Sequence, residues 1–137
     1  MKNYTSLEQS KRLIAAGLDP NTADMVWTYE DMIEDYFPYI GLVPIQEKDL
    51  PCWSVGALID VLPSAVSNEF GDIFELVIKK YDVSDYSVRY KDCYTAAPVF
   101  AVDGEHLVDC LVETLLRLPN EGYIIHQKKS PYIKKNE

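Results

Sequence analysis

An α+β fold is the class this sequence predicts: one small domain in which about three helices pack a mostly antiparallel sheet with a central β-hairpin. Three observations carry it. Segments near both ends have helix caps and apolar stripes at helical spacing. The runs 73–81 and 86–90 alternate apolar and polar residues on either side of the short polar link 82–85. At 137 residues the chain has the commonest domain size, for which one core suffices.

The first helix is expected over residues 6–16. Thr5-Ser6-Leu7-Glu8 fits a capping box, Leu7, Leu13 and Ile14 share a face, and Gly17 followed by Leu18 suits a left-handed C-cap. Asp19-Pro20-Asn21 then makes a turn. A short helix capped by Thr28 follows, with Glu30 and Asp31 at the favourable end of its dipole, Met32, Ile33 and Tyr36 inward, and Pro38 closing it. Residues 39–43 are rich in β-formers and read as a strand ended by Pro44, and 46–51 as a loop.

Ser54 caps the next helix, which runs through about Leu62 with Leu58, Ile59 and Leu62 on one stripe and Pro63 as its stop. After the 73–90 hairpin, Asp103 is the expected N-cap of a helix over 104–118. Its stripe is Leu107, Val108, Leu111, Leu115 and Leu118, with Glu105, Asp109 and Glu113 opposite. Tyr123-Ile124-Ile125 supplies a final edge strand. Domain organisation is thus a compact body, 1–125, and a basic, flexible tail, 126–137.

Charge narrows the function classes. The chain carries 22 acids against 13 bases, a formal net charge of −9, and the body through Ile125 reaches −12 because Lys128, Lys129, Lys134 and Lys135 sit in the tail. Such a body repels a polyanion, which disfavours direct nucleic-acid binding. The polar start lacks a signal-peptide pattern and no apolar run reaches the roughly 20 residues that span a bilayer, so a cytoplasmic protein that avoids membranes is expected. Cys52, Cys93 and Cys110, odd in number and without CxxC spacing, read as reduced thiols and small core residues.

Standard catalytic motifs are missing. Six dispersed glycines form neither a GxGxxG nor a P-loop, no GxSxG elbow exists, and His106 and His126 are the only histidines. No catalytic residue and no cofactor is assigned, and a non-enzymatic role is favoured. His106 and Cys110, four apart on the last helix, could face one ion with Cys52 or Cys93. A core thiol and a surface imidazole explain both and are the favoured reading, so no metal is assigned.

The richest candidate is the acidic, aromatic segment. No Lys or Arg occurs between Arg12 and Lys48, whereas Trp27, Tyr29, Glu30, Asp31, Glu34, Asp35, Tyr36 and Tyr39 crowd together. Aromatics give contact area at low rotamer cost and carboxylates steer a basic partner, which points to a protein-binding face. The alternative is that the rings fill the core while the acids solvate the far side. A different class of function, a small-molecule or nucleotide binder or cryptic enzyme, would place its pocket at Cys52, Trp53 and Ser54, where a helix N-terminus could hold an anion or lower a thiol pKa. A structural homo-oligomer is the third.

Several motifs carry a family resemblance: Thr5-Ser6-Leu7-Glu8-Gln9-Ser10-Lys11; Gly17-Leu18-Asp19-Pro20-Asn21-Thr22-Ala23-Asp24-Met25; Leu50-Pro51-Cys52-Trp53-Ser54 with Ala57-Leu58 and Leu62-Pro63; and Val108-Asp109 with Glu121-Gly122-Tyr123-Ile124. In these the chain resembles a family of small uncharacterised proteins encoded on phages, prophages and conjugative elements of gut anaerobes. It departs from them over 26–47 and in the hairpin. The resemblance implies a mobile-element accessory protein and supplies no catalytic residue; the acidic body and the base-free stretch suggest, as one concrete form, an inhibitor of a basic host or defence protein.

Overall fold

The computed structural model describes residues 3–40, 47–82, 85–125 and 131–132. Three α-helices and eight strands in two wholly antiparallel sheets make the fold α+β among these residues. Close contacts gather the chain into two compact units, Met1–Val61 with Pro131–Glu137, and Leu62–Ser130.

In the first unit, α1 spans Leu7–Ala15. Its capping box is Ser6 with Gln9, one residue later than expected: Ser6 Oγ accepts from Gln9 N at 3.1 Å, and Gln9 Oε1 accepts from Ser6 N at 3.0 Å. Thr5 is taken elsewhere, because its buried hydroxyl accepts the Trp53 amide at 3.0 Å. The helix ends as anticipated, with Gly17 at φ 93° and the Leu18 amide donating to Leu13 O. A 3₁₀ turn, Pro20–Thr22, follows, its Asp19 carboxylate accepting from Asn21 N.

The expected helix after Thr28 is a hairpin instead: β1, Met25–Glu30, pairs antiparallel with β2, Asp35–Ile40. The run Val-Trp-Thr-Tyr has poor helix and good strand propensity, and β3, Leu50–Cys52, pairs with the far side of β1, so the backbone donors are used in a sheet. Met32 and Ile33 do not face inward. They sit in the turn, where Met32 is 99% exposed. Pro38 lies within β2, which is an edge strand and tolerates the missing amide. Of the expected strand 39–43, Tyr39 and Ile40 belong to β2 and the remainder lies outside the described residues. The loop expected over 46–51 ends in β3.

Helix α2, Val55–Val61, begins as read, with Ser54 Oγ accepting from Ala57 N at 3.2 Å. Leu13, Leu18, Val26, Cys52, Trp53 and Leu58, with Ala57 and Val61, are buried in its unit's core. Of the tail, Pro131 and Tyr132 return to this unit: Pro131 O accepts from Asp19 N at 2.7 Å and Tyr132 bridges to Leu18. The four tail lysines and His126 lie outside the described residues.

The second unit is a five-stranded sheet in the order β7-β6-β5-β4-β8. The expected hairpin is its centre, β5 (Ile73–Tyr81) with β6 (Asp85–Asp92). The expected last strand is its edge, β8 (Ile124–Ile125), paired with β4 (Ala65–Ser67). β7, Pro98–Gly104, takes residues the sequence had assigned to the final helix, and α3 spans Leu107–Arg117. Asp103 is therefore a strand residue opposite Ser87, and the N-cap is His106, which makes no side-chain capping bond. Of the predicted stripe, Val108, Leu111, Leu115 and Leu118 are buried and Leu107 is half-buried, with Val88, Tyr90, Phe100 and Val102 of the sheet also in the core.

Candidate functional site

Alternation along β1 and β2 divides the acidic, aromatic segment between two faces of one hairpin. Register places Trp27 opposite Pro38 and Tyr29 opposite Tyr36 on one side, and Val26 opposite Tyr39, Thr28 opposite Phe37 and Glu30 opposite Asp35 on the other. Asp31 and Glu34 are in the connecting turn, where Glu34 adopts φ 51°.

The Trp27 side is anchored. The indole N–H donates to Thr5 O at 3.0 Å, and the ring meets Tyr4 edge-on at 5.7 Å. Tyr29 and Tyr36 meet edge-on at 5.0 Å, the Lys48 ammonium lies 4.7 Å from the Tyr29 ring centre and 3.3 Å from Asp31, and the Tyr36 hydroxyl donates to Lys48 O. These rings are half-buried.

On the other side Val26 is buried, but Phe37, Tyr39 and the turn are open. Phe37 is 39% and Tyr39 45% exposed, and Ile33 in the turn is 59% exposed. Tyr39 holds Glu30 through a 3.4 Å hydrogen bond to Oε1. Five large apolar residues, Met32, Ile33, Phe37, Tyr39 and Ile40, are thus exposed within one nine-residue stretch that contains Glu34 and Asp35 and no base. Sequence reasoning missed Met32, Ile33, Phe37 and Ile40 as surface residues. The alternation Tyr36, Pro38, Ile40 against Asp35, Phe37, Tyr39 was the available signal, masked by Pro38.

Cys52, Trp53 and Ser54 adjoin in a different setting. Cys52 and Trp53 are fully buried, and Trp53 Nε1 donates to Thr22 Oγ1 at 2.9 Å. Burial pushes the Cys52 thiol up to about 11, the opposite of the activation its place before a helix suggested. An anion does sit at the start of α2, and the chain supplies it: the Asp24 carboxylate accepts from Ser54 N at 2.9 Å and from Ser54 Oγ at 2.5 Å. Two surface clefts, of about 390 and 290 Å³, lie in the second unit around Asp103, Gly104 and Glu105, and Cys52, Trp53 and Ser54 line neither.

The remaining thiols differ. Cys110 is buried, as expected, but Cys93 is exposed in the turn after β6 rather than in a core. His106 and Cys110 both line the smaller cleft, yet no group of three or more metal-ligating side chains occurs among the described residues. No described helix is long and apolar enough to cross a membrane.

Two raised pKa values predict alkaline instability. A thiol whose pKa rises from 9.0 to about 11 on folding contributes stability that is fully present below pH 9.0 and is lost as pH climbs through about 11. Tyr132, pushed from 10.0 to about 12 by burial, acts in the same direction one unit higher. Urea midpoints should fall above pH 9, and less steeply in Cys52→Ala. Equal slopes in the two proteins would show that the Cys52 thiol does not contribute.

No family model matches the chain, and neither a curated protein nor a solved structure matches it.

Proposed function

We propose that this protein is a non-enzymatic binding protein whose β1–β2 hairpin docks onto a basic protein partner. The observation that carries the reading is the exposure of Met32, Ile33, Phe37 and Tyr39 on a hairpin that also carries Glu30, Asp31, Glu34 and Asp35. Protein interfaces combine apolar residues with a charged surround, and several large apolar side chains exposed on one hairpin are what such a site offers. The acidic excess around it, with Lys48 paired to Asp31, favours a partner of opposite charge and makes association salt-sensitive. Trp27, Tyr29 and Tyr36 hold the hairpin from its other face.

A basic partner that itself binds nucleic acid is the concrete form we favour, with the hairpin competing for its phosphate-binding face. The motif resemblance to small proteins of phages and conjugative elements fits an accessory protein that inhibits a host or defence factor in this way.

The test is capture from the native host, followed by binding assays with the purified partner. Met32→Ser/Ile33→Ser and Glu30→Lys/Asp35→Lys should each weaken binding at least about tenfold, roughly 1.4 kcal/mol, and duplex DNA should compete with the wild-type protein. Undiminished binding by both variants, each shown folded by circular dichroism, would rule the hairpin out as the docking face. Binding that both variants lose but DNA leaves untouched would remove the mimicry and keep the interface.

A further inference from the structure

Along β6 the buried Val88 and Tyr90 alternate with Ser87 and Arg89, so Arg89 lies on the face of the five-stranded sheet away from α3. Its cross-strand neighbours are Val77 and Ala101, neither of which can pair with a cation. The side chain is nonetheless held. Its Nε–H donates to the fully buried Ser87 Oγ at 2.7 Å, and its guanidinium carbon stands 4.9 Å from the centre of the Tyr81 ring, which the Lys79 ammonium approaches to 4.7 Å. Among the described residues Arg89 enters no ion pair, although Asp103, opposite Ser87, is diagonally across on the same face. Both Nη groups, the prongs that take a carboxylate side by side, are left without a protein acceptor there.

These prongs border a cleft. The 390 Å³ cavity at this end of the sheet is lined by Arg89 and Tyr81 together with Asp85, Asp103 and Glu105, and no lysine lines it. The three carboxylates enter no ion pair among the described residues either. Charge then sorts the ligands. A phosphate ester or a dicarboxylate meets three carboxylates for one guanidinium and is repelled. A plain amine finds the carboxylates and leaves the arginine fork unused. A molecule with one carboxylate and two ammonium groups uses both, and it balances the lining, where three acids against one base leave an excess of two negative charges.

We propose that this cleft binds a free α-amino acid with a cationic side chain, its carboxylate on the Nη groups of Arg89 and its ammonium groups among Asp85, Asp103 and Glu105. Ser87 and Tyr81 are positioning residues: they order the guanidinium before the ligand arrives, which lowers the conformational cost of binding. The site is separate from the β1–β2 hairpin and does not depend on it.

The probe is L-lysine titrated into the full chain and followed by amide resonances, which should shift saturably at residues 85–89 and 103–105. Cadaverine, which lacks the carboxylate, norleucine, which lacks the side-chain ammonium, and glutamate should each bind at least about tenfold more weakly. Arg89→Lys keeps the charge and loses the fork, and should weaken lysine binding by a similar factor. Asp103→Asn/Glu105→Gln should erase the preference for lysine over norleucine. Absence of a saturable shift below about 10 mM lysine would overturn the proposal. So would cadaverine or glutamate binding as tightly as lysine, wild-type affinity in Arg89→Lys, or shifts confined to residues 25–40. The ligand series is read on the unaltered chain and decides the matter even where a variant fails to fold.

Discussion

Replacing Trp53 by alanine should destabilise the protein by about 3–5 kcal/mol, the range for deleting a large aromatic from a packed interior. Its ring is fully buried, and its indole N–H is satisfied by Thr22 Oγ1 at 2.9 Å. The substitution removes the largest fully buried side chain and leaves the Thr22 hydroxyl without that donor. Loss of this size is a large fraction of the stability of a protein of this length. Trp53→Phe separates the two contributions, since it keeps most of the ring and loses only the hydrogen bond, and should cost about 1–2 kcal/mol beyond any packing adjustment. Urea denaturation followed by circular dichroism measures both. A cost under about 1 kcal/mol for Trp53→Ala would mean that the ring is not packed as described.

The second large effect is expected at Thr5, a small polar residue whose importance is invisible in composition. Its side chain is fully buried, accepts the Trp53 amide at 3.0 Å, lies 2.9 Å from Ser10 Oγ, and contacts Cys52 Sγ at 3.8 Å. Its carbonyl accepts the Trp27 indole and the Cys52 thiol. Thr5→Val preserves shape and removes the hydroxyl, leaving a buried amide and the Ser10 hydroxyl short of a partner. Each such group costs about 1–3 kcal/mol. Thr5→Ser keeps the oxygen and should lose far less. The distinguishing readout is hydrogen exchange at the Trp53 amide, which should accelerate strongly in Thr5→Val and little in Thr5→Ser. Equal behaviour of the two variants would deny the hydroxyl its role.

Thr5 also shows where local reading stops. Thr5-x-x-Glu8 and Ser6-x-x-Gln9 are both acceptable capping boxes, and nothing within the segment chooses between them. The choice is made by residue 53, because a distant amide needs an acceptor and Thr5 is the one that reaches it. The same holds at Asp103, a good N-cap by type that is drawn into β7 by pairing with Ser87. Helix α3 therefore starts later and without a side-chain cap, yet it forms, since its stripe of Val108, Leu111 and Leu115 is buried regardless of the exact start.

The hairpin shows the larger failure and its consequence for the site. A helix over 28–38 rested on a cap, two acids and a proline stop, which are boundary signals. The strand evidence lay in the side chains between them, Val26, Trp27, Thr28 and Tyr29, and in a partner, β3, more than twenty residues away. The candidate segment itself was legible from charge and aromatic content. Which of its side chains are anchored and which exposed was not, because a period of two distributes side chains differently from a period of 3.6.

What the sequence by itself determined is whatever short-range chemistry decides: the acidic balance, the first and last helices and most of the last one's buried stripe, the Gly17 cap, the central alternating hairpin, and the α+β class. Only the tertiary structure decided which of two caps is used, whether residues 25–40 are helix or strand, and that Cys93 is exposed while Cys52 is sealed. Each of those depends on a hydrogen-bond or packing partner far along the chain, and a backbone donor or an apolar side chain takes its final state from the partner it finds.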